Sequence, residues 1–193
     1  MSMDYLQREA TQMRRADRAV EDEAWMKAFL HTAAVGALAT LHGDQPFVNT
    51  NLFVYDESSH SIILHTARVG RTRANIEQNN RVCFSIMEMG RLLPAPEALE
   101  FSAEYAGLIA FGSIQIISDE AEATAALQLL LDKYAPQLRA GRDYRPPVPE
   151  ELSRTSVFRI AIESWSAKKK EVEDDFAGAF FYDEWPMLRS NQI

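Results

Sequence analysis

One cysteine, Cys83, is the only thiol in 193 residues. A lone thiol closes no intrachain disulfide and cannot by itself build a thiolate metal cluster, which agrees with a reducing compartment. Its neighbours Val82 and Phe84 are apolar, so Cys83 reads as a small core residue rather than a nucleophile. Long apolar runs are also missing. None approaches the roughly 18 residues of a membrane-crossing helix, and the start MSMDYLQREATQMRRADRAVEDE has no apolar stretch of the secretory type. The expectation is a cytoplasmic protein with no membrane partner. Positive charge is scarce: 20 Lys and Arg face 28 Asp and Glu, a net charge of -8. Nucleic-acid binding needs a basic face to meet phosphates, so that class is disfavoured. His31, His42 and His60 have no ligand-like spacing, and no metal is expected. Ser156 and Ser164 lack a nearby histidine and acid arranged for nucleophilic attack, which argues against a hydrolase.

What is present suits one soluble domain over residues 1–193: 47% apolar and 25% charged. Residues 1–20 read as an N-terminal arm. Trp25, Met26, Phe29 and Leu30 recur every three to four positions within Glu21 to His31, which predicts a helix. Val35 to Leu41 and Pro46 to Tyr55 predict two strands around a turn containing Gly43. Ser61 to Thr66 predicts a third, so a meander of antiparallel strands is expected to open the fold. A short helix from Arg71 to Asn79 and a strand from Arg81 to Met87 follow. Gly90 to Glu100, with Pro94 and Pro96, is expected to be a loop. A long strand from Tyr105 to Ile117, a helix from Asp119 to Tyr134, a proline-rich connector from Tyr144 to Pro149 and a last strand from Thr155 to Trp165 complete the pattern. Residues 167–193 read as a C-terminal tail, its lysines 168–170 followed by acids and, near the end, Trp185 and Pro186. About six strands with inserted helices imply a mainly β chain, an antiparallel barrel decorated by helices.

Against the acidic background, residues 58–76 hold no carboxylate yet carry Arg68, Arg71 and Arg73. By charge alone this is as well described by a solvated cationic turn. Its setting says more: Gly70 lies between a strand ending at Thr66 and a helix starting at Arg71. The free N–H groups and positive end of that helix, with the forked Arg71 guanidinium, suit a phosphate monoester. Asn49, Thr50 and Asn51 interrupt an apolar strand, either for hydrogen-bond work or as an exposed edge. Trp165 fits a core or an interface. Lys168 reads as a solvated cation, although it is near enough to Trp165 in sequence to reach a phosphate with it.

The run His65-Thr66-Ala67-Arg68-Val69-Gly70-Arg71-Thr72-Arg73-Ala74-Asn75, between two strands and followed by a long strand and helix, resembles the pyridoxamine-5′-phosphate-oxidase-like FMN-binding split barrels. Among these the chain is most similar to the nitroimidazole-resistance proteins. Val35 to Thr40, Met89 to Pro94, Phe111-Gly112, Arg154 to Val157, Ser164-Trp165-Ser166 and Glu184-Trp185-Pro186 extend the likeness over nearly the whole chain. The resemblance implies a split antiparallel β-barrel that forms a homodimer with FMN at the interface. It implies that Val48, Asn49, Thr50, Asn51 and Leu52 run along the flavin and that His65 and Thr66 contact it. Arg71 stands where an arginine binds its phosphate, with Gly70 and Thr72 beside it as further cofactor-binding candidates; Trp165 would approach from the other subunit, and Lys168 is a cofactor-binding candidate by its nearness to Trp165. It further implies an oxidoreductase that takes electrons from NAD(P)H or another donor to a nitro group, with His65 as candidate catalytic proton donor. Non-catalytic flavin or haem binding, or reduction of another metabolite, are the alternatives. The oxidases themselves carry lysines where this chain has Phe53 and Thr72, which sets pyridoxamine-phosphate oxidation apart.

Overall fold

The computed structural model describes residues 6–184. After the N-terminal arm, a two-residue strand β1 (Ala19–Val20) leads into helix α1 (Glu23–Thr32). Asp22 starts that helix by accepting hydrogen bonds from the N–H groups of Ala24 and Trp25 at 2.9 and 3.2 Å. Its buried face is Met26, Phe29 and Leu30. Strands β2 (Gly36–His42) and β3 (Gln45–Asn51) form a hairpin whose two-residue turn has Gly43 at φ +60. A glycine at the first central position is what a type II′ hairpin turn requires.

Strands β4 (Phe53–Asp56) and β5 (Ser61–Ala67) make a second hairpin, and α2 (Arg71–Gln78) follows. Then come β6 (Arg81–Leu93), β7 (Ser102–Ile116), α3 (Glu120–Tyr134), α4 (Pro149–Leu152) and β8 (Thr155–Lys170). The strand order is β3-β2-β6-β7-β8-β5-β4, and every pairing is antiparallel; β1 pairs with the far end of β8. The two strands at the ends of this order, β3 and β4, are consecutive in the chain and joined through Leu52. The sheet therefore curls round until its ends meet at one residue without pairing, which is a split barrel.

Three expectations change. Pro46 to Tyr55 is two strands, and they lie at opposite ends of the sheet order, so the opening is a pair of hairpins rather than a meander. The loop expected from Gly90 begins at Pro94, because β6 continues to Leu93 with an irregularity between Met89 and Leu92. Arg91 holds this extension to β7 through Glu104, with guanidinium-to-carboxylate distances of 2.8 Å on both oxygens. The last strand runs to Lys170, so the first residues of the expected tail are in the barrel wall. Ala167 there is 1% exposed, and the lysines alternate around it. Trp185 and Pro186 lie outside the described residues.

The barrel is filled by Leu38, Phe53, Leu64, Phe84, Leu108, Ile114, Phe158 and Ile160, closed at one side by α1. A second cluster lies outside the wall, where Ala123, Ala126 and Leu130 of α3 cover Val54, Ile63 and Val157. Burial of this kind is the main favourable term for the fold. At Gly112 the backbones of β7 and β8 approach so closely that a Cβ would lie 1.9 Å from the carbonyl oxygen of Ala161.

Candidate functional site

Helix α2 plugs the end of the barrel next to the split. Thr72 is buried and accepts a hydrogen bond from Asn49 Nδ2 on β3 at 3.4 Å. Asn49 also meets Asn51 Oδ1 at 3.2 Å, and Asn51 donates to the Asn49 carbonyl at 2.9 Å. Asn75, fully buried, donates to Thr40 Oγ1 on β2 at 3.0 Å, while its own Oδ1 has no partner. On the other side of the helix, Arg73 donates to Ser156 Oγ on β8 at 2.9 Å and to Glu77 at 2.7 Å. Ser156 is the cross-strand neighbour of Thr66. One helix thus gathers β3, β2, β5 and β8 at a single end of the barrel.

The register sorts the polar triplet by face. Asn49 lies opposite Leu38, a core residue, and Asn51 opposite Gly36, so both are on the interior side. Val48 and Thr50 lie opposite Ala39 and Ala37 on the outer side, where Val48 is 60% exposed; Leu52, at the split, is 49% exposed. Thr66 shares its face with Leu64. His65 is on the opposite face of β5 with Ile63, across from Val157, and is open to solvent. Nearby protein atoms lower its pKa below the ordinary 6.5 by desolvation.

The start of α2 is uncapped and electropositive. Gly70 is extended, makes no side-chain cap, and has nothing within 4 Å of where a Cβ would stand, so the helix N-terminus is open. There is no acidic residue in the first turn. Arg71 is exposed and, among the described residues, has no hydrogen bond or ion pair; the same holds for the Arg68 guanidinium. Arg68, Val69, Gly70, Arg71, Arg73, Ala74 and Glu77 line an open groove of about 450 Å³. Two unused guanidinium groups and a bare helix N-terminus together favour a dianionic group.

Trp165 and Lys168 do not join this end. Ser156, beside Thr66, and Trp165 are separated by about 30 Å along β8 at roughly 3.3 Å per residue. Trp165 is half-buried against the barrel core and meets His60 edge-to-face at 4.7 Å between ring centroids. Lys168 points to the other side of the wall, opposite Gly107, with its ammonium 5.4 Å from the Tyr105 ring. Phe53 is wholly buried and packs on Phe84 at 4.9 Å, so that position is structural here. Sequence reasoning missed Arg73, Asn75, Thr40 and Ser156 as the residues that seat α2, since each acts through a partner far away in the chain. Among the described residues, no group of three or more His, Cys, Asp or Glu side chains converges as a metal site. No described helix is long and apolar enough to cross a membrane.

A sheet of this order, closed at one residue and plugged by a helix with an open, arginine-flanked N-terminus, defines a split-barrel protein. The chain belongs to the pyridoxamine 5′-phosphate oxidase family, whose model matches residues 21–169. No curated protein matches it. Among solved structures it is similar to a flavocytochrome from Azotobacter vinelandii, at 23% identity and TM-score 0.75, covering 87% of this chain and 78% of that one. It is also similar to an FAD and haem binding protein from Mycobacterium smegmatis, at 20% identity and TM-score 0.71, covering 80% and 74%. A third is a 5-nitroimidazole antibiotic resistance protein from Bacteroides thetaiotaomicron, at 16% identity and TM-score 0.65, covering 79% and 90%. At these identities the structures establish the fold.

Proposed function

We propose that the chain is an FMN-dependent oxidoreductase that binds the cofactor at a homodimer interface and reduces a nitro compound of the 5-nitroimidazole type with electrons from NAD(P)H. The observation that carries this reading is Arg71, which among the described residues has no partner, at an open helix N-terminus with no acid in its first turn. Arg71, Gly70 and the first N–H groups of α2 would bind the phosphate, with Arg68 close by. Thr72, held by Asn49, fixes β3 beside that phosphate, and Val48, Thr50 and Leu52 present a partly apolar edge for a flat ring. Thr66, the cross-strand neighbour of Ser156, would contact the flavin from the end of β5. When bound, the flavin supplies the electron transfer, and the protein supplies binding, orientation and protons.

Trp165 lies about 30 Å along β8 from the strand end beside α2, so a ligand held by both Arg71 and Trp165 would need a second copy of the chain. Among the described residues, His65 offers an imidazole with no hydrogen bond to occupy it. With its pKa below 6.5, it is mostly neutral at pH 7 and gains a proton to give only as pH falls. Proton delivery through His65 therefore predicts turnover that rises on the acid side of neutrality, and a His65→Gln variant in which that rise is gone.

The test is an absorption spectrum of freshly purified protein, followed by addition of NADPH and a nitroimidazole. Flavin absorbance that bleaches and returns supports the enzyme. The likeness to a flavocytochrome and to an FAD and haem binding protein favours one second reading, an electron carrier with haem, and a Soret band in the same spectrum would reveal it. Arg71→Ala should lower flavin retention by tenfold or more, since a charge-assisted hydrogen bond contributes roughly 1.5 to 3 kcal/mol. Unchanged flavin content in that variant removes Arg71 from the site.

A further inference from the structure

Strand β4 is the last in the sheet order, so one side of its backbone has no strand to pair with. Backbone groups left over in this way must find other partners when they lie beside a core. At Phe53, the wholly buried first residue of β4, the partner is a single side chain, Tyr134, the last residue of α3. The Phe53 N–H donates to Tyr134 Oη at 3.0 Å, and the same hydroxyl lies 2.9 Å from the Phe53 carbonyl oxygen and 2.7 Å from that of Ala34. A phenol has one proton and can also accept, so this one accepts from Phe53 and shares its proton between the two carbonyls.

Those carbonyls belong to opposite lips of the split. Ala34 leads into β2, whose first residue, Gly36, is the cross-strand neighbour of Asn51 at the end of β3. Phe53 opens β4 and is the neighbour of Leu64 on β5. Leu52 joins the two lips covalently, and the Tyr134 hydroxyl joins them again through hydrogen bonds. Lys133 braces the same place, donating to the Ala33 carbonyl at 2.8 Å with its ammonium 3.8 Å from the Phe53 ring centre. Helix α3 is itself fixed to the barrel wall through Ala123, Ala126 and Leu130, so its last turn is a firm point from which to hold both lips.

We propose that Tyr134 is a positioning residue for the cofactor: by setting the width of the split it fixes Leu52 and the outer edge of β3 against which the flavin ring is bound, a role that rests on the flavin reading above. The edge made by Val48, Thr50 and Leu52 is then held at both ends, at Asn49 by Thr72 of α2 and at Phe53 by Tyr134 of α3. Tyr134 acts through Leu52 and not on the reacting atoms.

Tyr134→Phe removes one oxygen and keeps the ring, and two measurements read its effect. The first needs no cofactor: in flavin-free protein the Phe53 amide should exchange with solvent about fivefold faster in the variant, while the Ile63 amide within β5 keeps its parent rate. In the second, FMN should bind the variant about fivefold more weakly, and the visible circular dichroism of the bound flavin, which reports how the ring is held, should change. Ala126→Gly is the control, since it loosens α3 on the wall away from the split; it should lower the melting temperature and leave FMN affinity and flavin dichroism at the parent's values. Equal affinity and dichroism in parent and Tyr134→Phe overturn the proposal. So does an equal loss in Ala126→Gly, which would reduce Tyr134 to a contributor to fold stability. If Tyr134→Phe does not fold, the parent decides: binding and closure of the split are linked, so FMN should slow exchange at Phe53, and an unchanged rate overturns the proposal. A parent that binds no FMN refutes the flavin reading and the proposal with it, an outcome told apart from the others because the exchange difference at Phe53 would persist.

Discussion

Asp56 stands at the turn between β4 and β5, and its replacement by asparagine isolates one electrostatic contribution. The carboxylate accepts hydrogen bonds from the Ser58 N–H and hydroxyl at 3.1 and 2.6 Å, from the Ser59 hydroxyl at 2.6 Å and from Arg159 Nη1 at 2.9 Å. Its side chain is 15% exposed. Burial alone would raise its pKa, but the hydrogen bonds from Ser58, Ser59 and Arg159 and the Arg159 charge outweigh it and hold the group at about 2, against an ordinary 3.8. A folded pKa below the unfolded one means stability present above pH 4 and lost as pH falls towards 2. The difference amounts to about 2 kcal/mol at roughly 1.36 kcal/mol per unit. Asp56→Asn keeps the shape and removes the charge, so it should cost about 2 kcal/mol at pH 7 in urea denaturation. The gap between parent and variant should narrow steadily from pH 5 to pH 3. A gap that is constant across that range, or smaller than about 0.5 kcal/mol at pH 7, refutes the assignment of the stabilisation to this carboxylate.

Two other substitutions probe the frame that carries the site. Gly112→Ala places a methyl group against the Ala161 carbonyl oxygen, 1.9 Å away before relaxation, so β7 and β8 must separate; a loss of about 3 kcal/mol or failure to fold is expected, and a melting temperature equal to the parent's would contradict it. Lys133 donates to the carbonyls of Ala33 and Leu30 at 2.8 and 3.3 Å, lies 3.8 Å from the Phe53 ring centre, and is lowered by burial to about 8 from 10.5. The folded chain releases this proton before the unfolded one does, so stability should rise between pH 8 and 10 in the parent; Lys133→Met should lack that rise and lose about 1 to 2 kcal/mol at pH 7 through the carbonyls it leaves unpaired.

Much of the architecture is local in origin and readable as such. Alternation marks β8, short apolar runs mark β2 and β5, acidic starts mark α1 and α3, and Gly43 marks the hairpin. The junction at Gly70 is readable for the same reason, because an open helix N-terminus beside arginines is a property of a few consecutive residues. Pairing is not local. Nothing in the apolar run from Pro46 to Tyr55 tells that Leu52 carries the chain from one end of the sheet to the other, since that follows from how β6, β7 and β8 fill the space between. The same holds for Gly90 to Leu93, which joins the sheet through Glu104, and for lysines 168–170, whose charges disguise the end of a strand that buries Ala167 just before them.

The site shows the same division. Thr72 and Asn49 meet, because α2 follows β5 directly and can touch β3 across the barrel end. Trp165 and Lys168 are carried to the other end by the length of β8, and as adjacent-looking residues they even face opposite sides of the wall. Sequence proximity between them suggested a shared phosphate; a strand's alternation and its rise of roughly 3.3 Å per residue forbid it within one chain. A single flavin could therefore meet both Arg71 and Trp165 only if two chains met with β8 of one against α2 of the other. The oligomeric state of the flavin-loaded protein thus tests the site as directly as any substitution does: a monomer that retains flavin and turns over would leave Arg71 in place and exclude Trp165.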